Sequence, residues 1–532
     1  MPAVLAAASA LGAVARAAEQ PSAGTPQPQI LCPDRAGPVA LGSAQWNGWG
    51  HDVENTRYQS EPALRAADIP KLALKWSFGF PGTSVSAQPS IADGRLFVAN
   101  AAGRVYALDA KTGCTYWTYD AQAGVRTAIS IAELAAARAV RPKKAKRGKT
   151  NAHLDVQKPP SAAFFGDDKG AVYALDAERG TLLWKTQIDA QPTARIQAAP
   201  TLYKDRLYVA VASSEPESAA DPLYACCTFR GSVAALDIAT GRVVWRTYTI
   251  ADEPRAMPPD AAGTPRFGPA GVPVAAAPTI DSNRGAVYVA TGAARNAGEQ
   301  PLADAVIALN LSDGALRWAK PLSSPAHGGA GFDASPILRT LASGKQVILA
   351  AQRSGTVYGL DPDHAGDILW QVSAAEEKIP EGVAWGPAAD HHSLYVALSG
   401  LTAEPPSLTG SVTSLDIRSG GKRWQTRAPA VACSWGGEKC SHAQAQAVTV
   451  IPGAAFSGSM DGHFRAYSTI DGKILWDYDT ARDFAAVNQV KASGGSLDQG
   501  GATIVNGVVY VNSGSAQGLP GNALLAFSVD GK

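Results

Sequence analysis

The feature that most constrains this chain is a phrase it repeats. Val105-Tyr106-Ala107-Leu108-Asp109-Ala110-Lys111-Thr112-Gly113 leads to Trp117. The phrase returns from Tyr173 to Trp184, Asp237 to Trp245, Asn310 to Trp318, Asp361 to Trp370, Asp416 to Trp424 and Ser468 to Trp476. An eighth copy, Leu525-Ala526-Phe527-Ser528-Val529-Asp530-Gly531, stops before its tryptophan. Each copy reads as two strands around a tight turn: the first alternates with the period of a half-buried strand, and the turn carries glycine, which tolerates positive φ. Self-similarity at this spacing predicts an all-β chain folded as a β-propeller. The recurring indole is placed to dock against the next blade and bury area there, so packing is the default role of seven of the twelve tryptophans.

The segment Leu72-Ala73-Leu74-Lys75-Trp76 has the pattern of the strand missing from the last copy. The sequence therefore predicts an eight-bladed ring closed by its N-terminal strand, which removes exposed sheet edges. The expected organisation is a signal peptide and flexible tail over 1–30, an arm over 31–70 and the propeller over 71–532. Residues Met1 to Ala18 are nearly all Ala, Val and Leu, with Ala15-Arg16-Ala17 as a small-x-small cleavage site. No Lys or Arg precedes the apolar stretch, so an Ala-rich tail is the alternative. The expected location is periplasmic or secreted.

A net charge of +1 over 532 residues gives no global field for nucleic acid or a membrane surface, and no apolar run reaches spanning length. The six cysteines suit an oxidised compartment. Cys433 and Cys440 bracket a short loop, Cys32 and Cys114 are left to each other, and Cys226-Cys227 are adjacent; buried free thiols are the alternative for each pair. No Cys-x-x-Cys-His occurs, so covalent haem is not expected. A basic insertion around Lys143 reads as a solvated loop or a docking site for an acidic partner. A Pro- and Gly-rich insertion, Ala251 to Val274, reads as a cover over one mouth of the channel. His391-His392 reads as an exposed loop pair, since adjacent strand residues face opposite ways.

Several segments resemble the pyrroloquinoline quinone (PQQ) dependent, or quinoprotein, alcohol dehydrogenases, and most nearly their polyvinyl-alcohol-oxidising branch. They are Trp46-Asn47-Gly48-Trp49-Gly50, Gly124-Val125-Arg126-Thr127-Ala128, Cys226-Cys227-Thr228-Phe229-Arg230-Gly231, Trp385-Gly386, Phe456 to His463 and Leu524 to Gly531. The resemblance implies PQQ near the propeller axis, calcium polarising its carbonyl, an aspartate as base, and electrons passing to an external cytochrome c. Carried over residue by residue, it implies Asp333 as the base, Cys226, Cys227, Arg126, Arg353 and Trp385 around the cofactor, and Glu217 on calcium. Three positions depart from the family pattern. Val274-Ala275-Ala276-Ala277 stands where a stacking tryptophan is usual. Ala293-Ala294-Arg295-Asn296 stands where a calcium-binding asparagine is usual. Gly331 precedes Phe332 where the base is usual, and Asp333 lies two residues on, about 6.6 Å along a strand. Two readings follow: an exported enzyme oxidising a secondary or polymeric alcohol, or a catalytically impaired propeller acting as a binding or scaffold protein of the cell envelope.

Overall fold

The computed structural model describes residues 30–33, 37–42, 45–85, 87–134, 160–295, 300–322, 331–375, 382–400, 410–429, 441–515 and 518–532. The leader, the basic insertion around Lys143 and the Cys433–Cys440 pair lie outside these residues.

Eight antiparallel sheets make up the ring. In chain order, blade 1 spans Ser90–Ala92 to Thr115–Asp120, blade 2 Ser130–Glu133 to Leu182–Gln187, and blade 3 Thr201–Tyr203 to Val243–Tyr248. Blade 4 spans Thr279–Asp281 to Leu316–Pro321, blade 5 Ile337–Thr340 to Asp367–Ser373, and blade 6 Ala388–Ala389 to Lys422–Arg427. Blade 7 spans Thr449–Ile451 to Ile474–Asp479. Blade 8 starts at Thr503–Val505 and continues to Ala523–Val529, and its fourth strand is Leu72–Gly79 from the other end of the chain. Leu72 pairs with Val529 and Trp76 with Ala526, so the expected closure is present. A register shift falls between Leu74 and Trp76, and the same shift falls beside the docking tryptophan of the other blades, as between Ala107 and Leu108 or Ala174 and Leu175. The bulge re-aims the outer strand where the indole must cross to its neighbour.

Trp76, Trp117, Trp184, Trp245, Trp370, Trp424 and Trp476 each donate an indole N–H to a backbone carbonyl of the next blade, over 2.9–3.3 Å. Trp117 lies so close over Gly180 that a Cβ there would sit 2.6 Å from the ring, and Gly180 has φ +71°. The turn glycine thus serves two needs, positive φ and close approach.

The arm is tied into the hub. Trp46 exchanges backbone hydrogen bonds with Ile91 of blade 1, and Asn47 Nδ2 donates to Ile131 O of blade 2. The carbonyls of Val53, Glu54 and Thr56 accept from Ile280, Leu338 and Ala389 of blades 4, 5 and 6. Gln59 N donates to Val450 O of blade 7, and Pro62 O accepts from Gly507 of blade 8. Trp49 and Val53 pack on the hydrophobic cluster shared by blades 3 and 4. A segment that reaches the inner part of every blade lies across the axis and plugs the channel from one side. Arg57 is its fully buried anchor: Nε donates to Val448 O at 2.6 Å, Nη1 to Trp49 O and Gln88 Oε1, and Nη2 to Thr449 Oγ1. Cys32–Cys114 and Cys226–Cys227 are disulfides.

Candidate active site

Above the arm lies a cavity that holds, with its mouth, about 890 Å³ of space. Arg126, Gln197, Ala275, Asp333 and Gln499 line it, and each lies four residues before the innermost strand of blade 2, 3, 4, 5 or 8. Ala198, Ala276, Trp385 and Gly500 line it from three residues before such a strand. Walls drawn from equivalent positions of many blades enclose a space on the ring axis. The Trp49 ring of the arm reaches its edge under the Arg57 guanidinium, 4.4 Å from the ring centroid. Gly386, beside Trp385, leaves room for that ring, since a Cβ there would meet it at 2.8 Å.

A second space of about 700 Å³ adjoins the first and is lined in part by Cys227, Gly292, Gly331, Asp333 and Arg353. Asp333 is common to both. The structure therefore brings Arg126, Glu217, Asp333 and Trp385 to one cavity, and Cys227 and Arg353 to its neighbour. Cys226 lines neither, although it is bonded to Cys227. Burial pushes the Asp333 carboxyl up, and Arg353, with Nε 3.4 Å from Oδ2, pulls it down. A third of the Asp333 side chain stays open, so this is desolvation at a cavity wall and not in a sealed core. Arg126 pairs with Asp168 at 2.9 Å.

Sequence reasoning missed several groups here. Arg195 and Gln197 line the cavity, and the spacing before each innermost strand was the signal that could have found Gln197 and Gln499. Asp498 was also missed; burial first, then the Ser515 hydroxyl and Arg126 acting the other way, leaves its carboxyl pushed up to about 6. Of the two acids in Ser213-Ser214-Glu215-Pro216-Glu217, the family resemblance points to Glu217 for calcium. Glu217 reaches the cavity wall but is 66 % exposed and faces Arg195 at 3.7 Å. Glu215 is the buried one, accepting from Thr228 N at 2.7 Å and Phe229 N at 3.0 Å, which fixes the loop that carries Cys226-Cys227. His391 and His392 are exposed, as expected.

PQQ is a flat quinone carrying carboxylates. Arg126, Arg195 and Arg353 supply cations suited to those carboxylates, and Trp385 and Cys227 supply flat, apolar surface on the same pair of cavities. These residues fit that cofactor. A hard cation such as calcium takes about six to eight oxygen ligands. Among the described residues no group of three or more His, Cys, Asp or Glu side chains could hold a metal, and the carboxylate expected to bind calcium faces an arginine. This donor set does not fit calcium.

Residues 46–390 match the family model described as glucose/ethanol/alcohol dehydrogenase, beta-propeller domain. Polyvinylalcohol dehydrogenase of Pseudomonas sp is 39 % identical over 96 % of this chain and 81 % of its own length. The chain belongs to the PQQ-dependent alcohol dehydrogenase family. The polyvinylalcohol dehydrogenase of Sphingopyxis sp. (strain 113P3) is 38 % identical over 96 % of this chain and 80 % of its own length. Quinohemoprotein alcohol dehydrogenase of Comamonas testosteroni shares the fold, with TM-score 0.63 at 19 % identity over 92 % of this chain and 81 % of that one. Residues 353–522 also match the model described as outer membrane protein assembly factor BamB. Among the described residues no helix is long and apolar enough to cross a membrane.

Proposed function

We propose that this member of the family oxidises secondary alcohols, including those of a polymer such as polyvinyl alcohol, in an oxidising compartment outside the cytoplasm, with an external cytochrome c receiving the electrons. The observation that carries the reading is the meeting of Asp333, Arg126 and Trp385 on one axial cavity. When bound, PQQ supplies the two-electron acceptor for the alcohol carbon's hydride. Asp333 takes the proton of the substrate hydroxyl. Its carboxyl is raised by burial, which strengthens it as a base, while Arg353 keeps the ionised form accessible. Trp385 and the Ala275–Ala277 wall bound the reacting space with apolar surface and limit water. Arg126 and Arg195 orient anionic groups on the opposite side. The Cys32–Cys114 and Cys226–Cys227 disulfides support an oxidising location.

The test is reconstitution of the full chain with PQQ, with and without calcium, followed by dye-coupled oxidation of small secondary alcohols and polyvinyl alcohol. The expected result is turnover that Asp333→Asn lowers by at least about a hundredfold while PQQ stays bound. Tight PQQ binding without turnover would establish the silent binding protein instead. Failure to bind PQQ overturns the reading.

A further inference from the structure

One aromatic ring on the axial cavity comes from outside the blades. Trp49 and Trp385 carry the rings among the residues that line it, and Trp49 belongs to the arm that plugs the hub. The arm folds back on itself to hold that ring. Arg57 N donates to Gly50 O at 2.8 Å, and Trp49 O accepts from Arg57 Nη1 at 2.8 Å and from Gln88 Nε2 at 3.1 Å. The Arg57 guanidinium lies 4.4 Å from the ring centroid, so a fully buried cation backs the indole. Toward blades 3 and 4 the ring packs in a cluster with Ala198, Val274 and Ala277. The alanines are too short to cover it, and the side chain stays only partly buried. Trp49 also lines the underside pocket that holds His51 and Asp52, and it is the residue shared by that pocket and the axial cavity. The indole therefore stands between two spaces. A flat ring with a fixed back and uncovered surface is a stacking platform prepared before any ligand arrives.

Resting on the proposed quinone-dependent oxidation, we infer that Trp49 is the floor of the cofactor site: its indole stacks on a flat, anionic quinone and closes the cavity against the pocket below. The division of labour follows from the chemistry. Arg126 and Arg195 meet the carboxylates of such a molecule, and the ring meets its face. The Ala275–Ala277 wall carries no ring of its own and leaves width for a flat molecule beside the indole. Arg57 and Gln88 hold the segment in place, so little freedom is lost when the ligand arrives. A binding residue thus comes from a segment that the blade repeat does not encode.

The experiment compares wild type with Trp49→Phe, Trp49→Leu and Val53→Ala, each as the full chain. Phe keeps a ring, and Leu keeps apolar bulk without one. Val53 packs in the same cluster and lines the pocket below but not the axial cavity, so it reports on a loosened arm. Thermal unfolding without ligand checks the fold of each protein, and PQQ binding is read by isothermal titration calorimetry. Trp49→Leu is expected to raise Kd about three- to tenfold, and Trp49→Phe less than about twofold. Val53→Ala keeps the wild-type Kd even where it lowers Tm. Indole emission gives a second readout: saturating PQQ removes less intensity from Trp49→Phe than from wild type. A wild-type Kd in Trp49→Leu, equal weakening by Phe and Leu, or equal weakening by Val53→Ala overturns the floor. Should Trp49→Leu not fold, equal quenching of wild type and Trp49→Phe overturns it. PQQ binding that depends on the ring without oxidation of any alcohol keeps the floor and removes the catalytic reading. Alcohol oxidation with a Kd indifferent to Trp49→Leu does the reverse, and a wild type that binds no PQQ overturns both.

Discussion

Asp333 is held between two opposing effects, the burial that raises its carboxyl and the Arg353 guanidinium that lowers it. Removing the cation leaves burial unopposed, so the ionised base forms only at higher pH. Arg353→Gln, assayed at saturating PQQ, is expected to move the acid limb of the kcat/KM profile upward. An unchanged limb would assign Arg353 to the cofactor alone. Asp498 gives a second test. An unfolded aspartate loses its proton near 3.8, whereas here it holds it to about 6. Between these values the folded state keeps a proton that the unfolded chain has released, so stability falls as pH rises through the window and stays lower above it. Asp498→Asn is therefore expected to exceed wild type by roughly 1–3 kcal/mol at pH 8 and to match it near pH 4, read by denaturant titration. Asp333, Arg126 and Trp385 stand out as candidates because short segments carry a family's spacing, and the structure brings the three to one cavity. Asp498 and Glu215 do not, since the sequence does not say which of several acids is buried.

At the scale of the element, the blade's working parts are an outer strand, its bulge and its indole. Trp117 is 8 % exposed, packs on Gly180 and donates to Ala177 O at 3.1 Å. Trp117→Ala is expected to cost about 3–5 kcal/mol, measured by denaturant unfolding. Trp117→Phe keeps most of the packing and loses one hydrogen bond, for a cost of about 1–3 kcal/mol. A cost near zero for both would mean that the blades do not depend on this contact. The repeat made these parts readable, because alternation, turn glycine and tryptophan recur in fixed order. In sequence the Ala251 to Val274 insertion reads only as a cover near the channel, whereas its strands Arg255–Met257 and Arg266–Gly268 form a hairpin that bonds to Cys226. Its pairing with Cys226 depends on contacts across about forty residues that no local pattern encodes.

For the whole molecule, closure and plugging act together. Leu72–Gly79 completes the last sheet, and the preceding residues cross the hub to join the blades. The strand near Trp76 was readable as the missing part of a series. The crossing of the arm was not, since Arg57 reads in sequence as an ordinary charged residue. Its guanidinium serves four acceptors from three segments. Arg57→Ala strands them in the core and is expected to cost on the order of 3–5 kcal/mol; Arg57→Lys recovers little of it, because one ammonium cannot span the planar fork. On the proposed function, the axial cavity above this plug holds the quinone. The direct measurement is a crystal structure of the full chain grown with PQQ. Density is expected for one flat molecule bounded by Arg126, Asp333 and Trp385. Density for PQQ anywhere else, such as the underside pocket by His51, or a cavity that stays without it at saturating concentration, would contradict it.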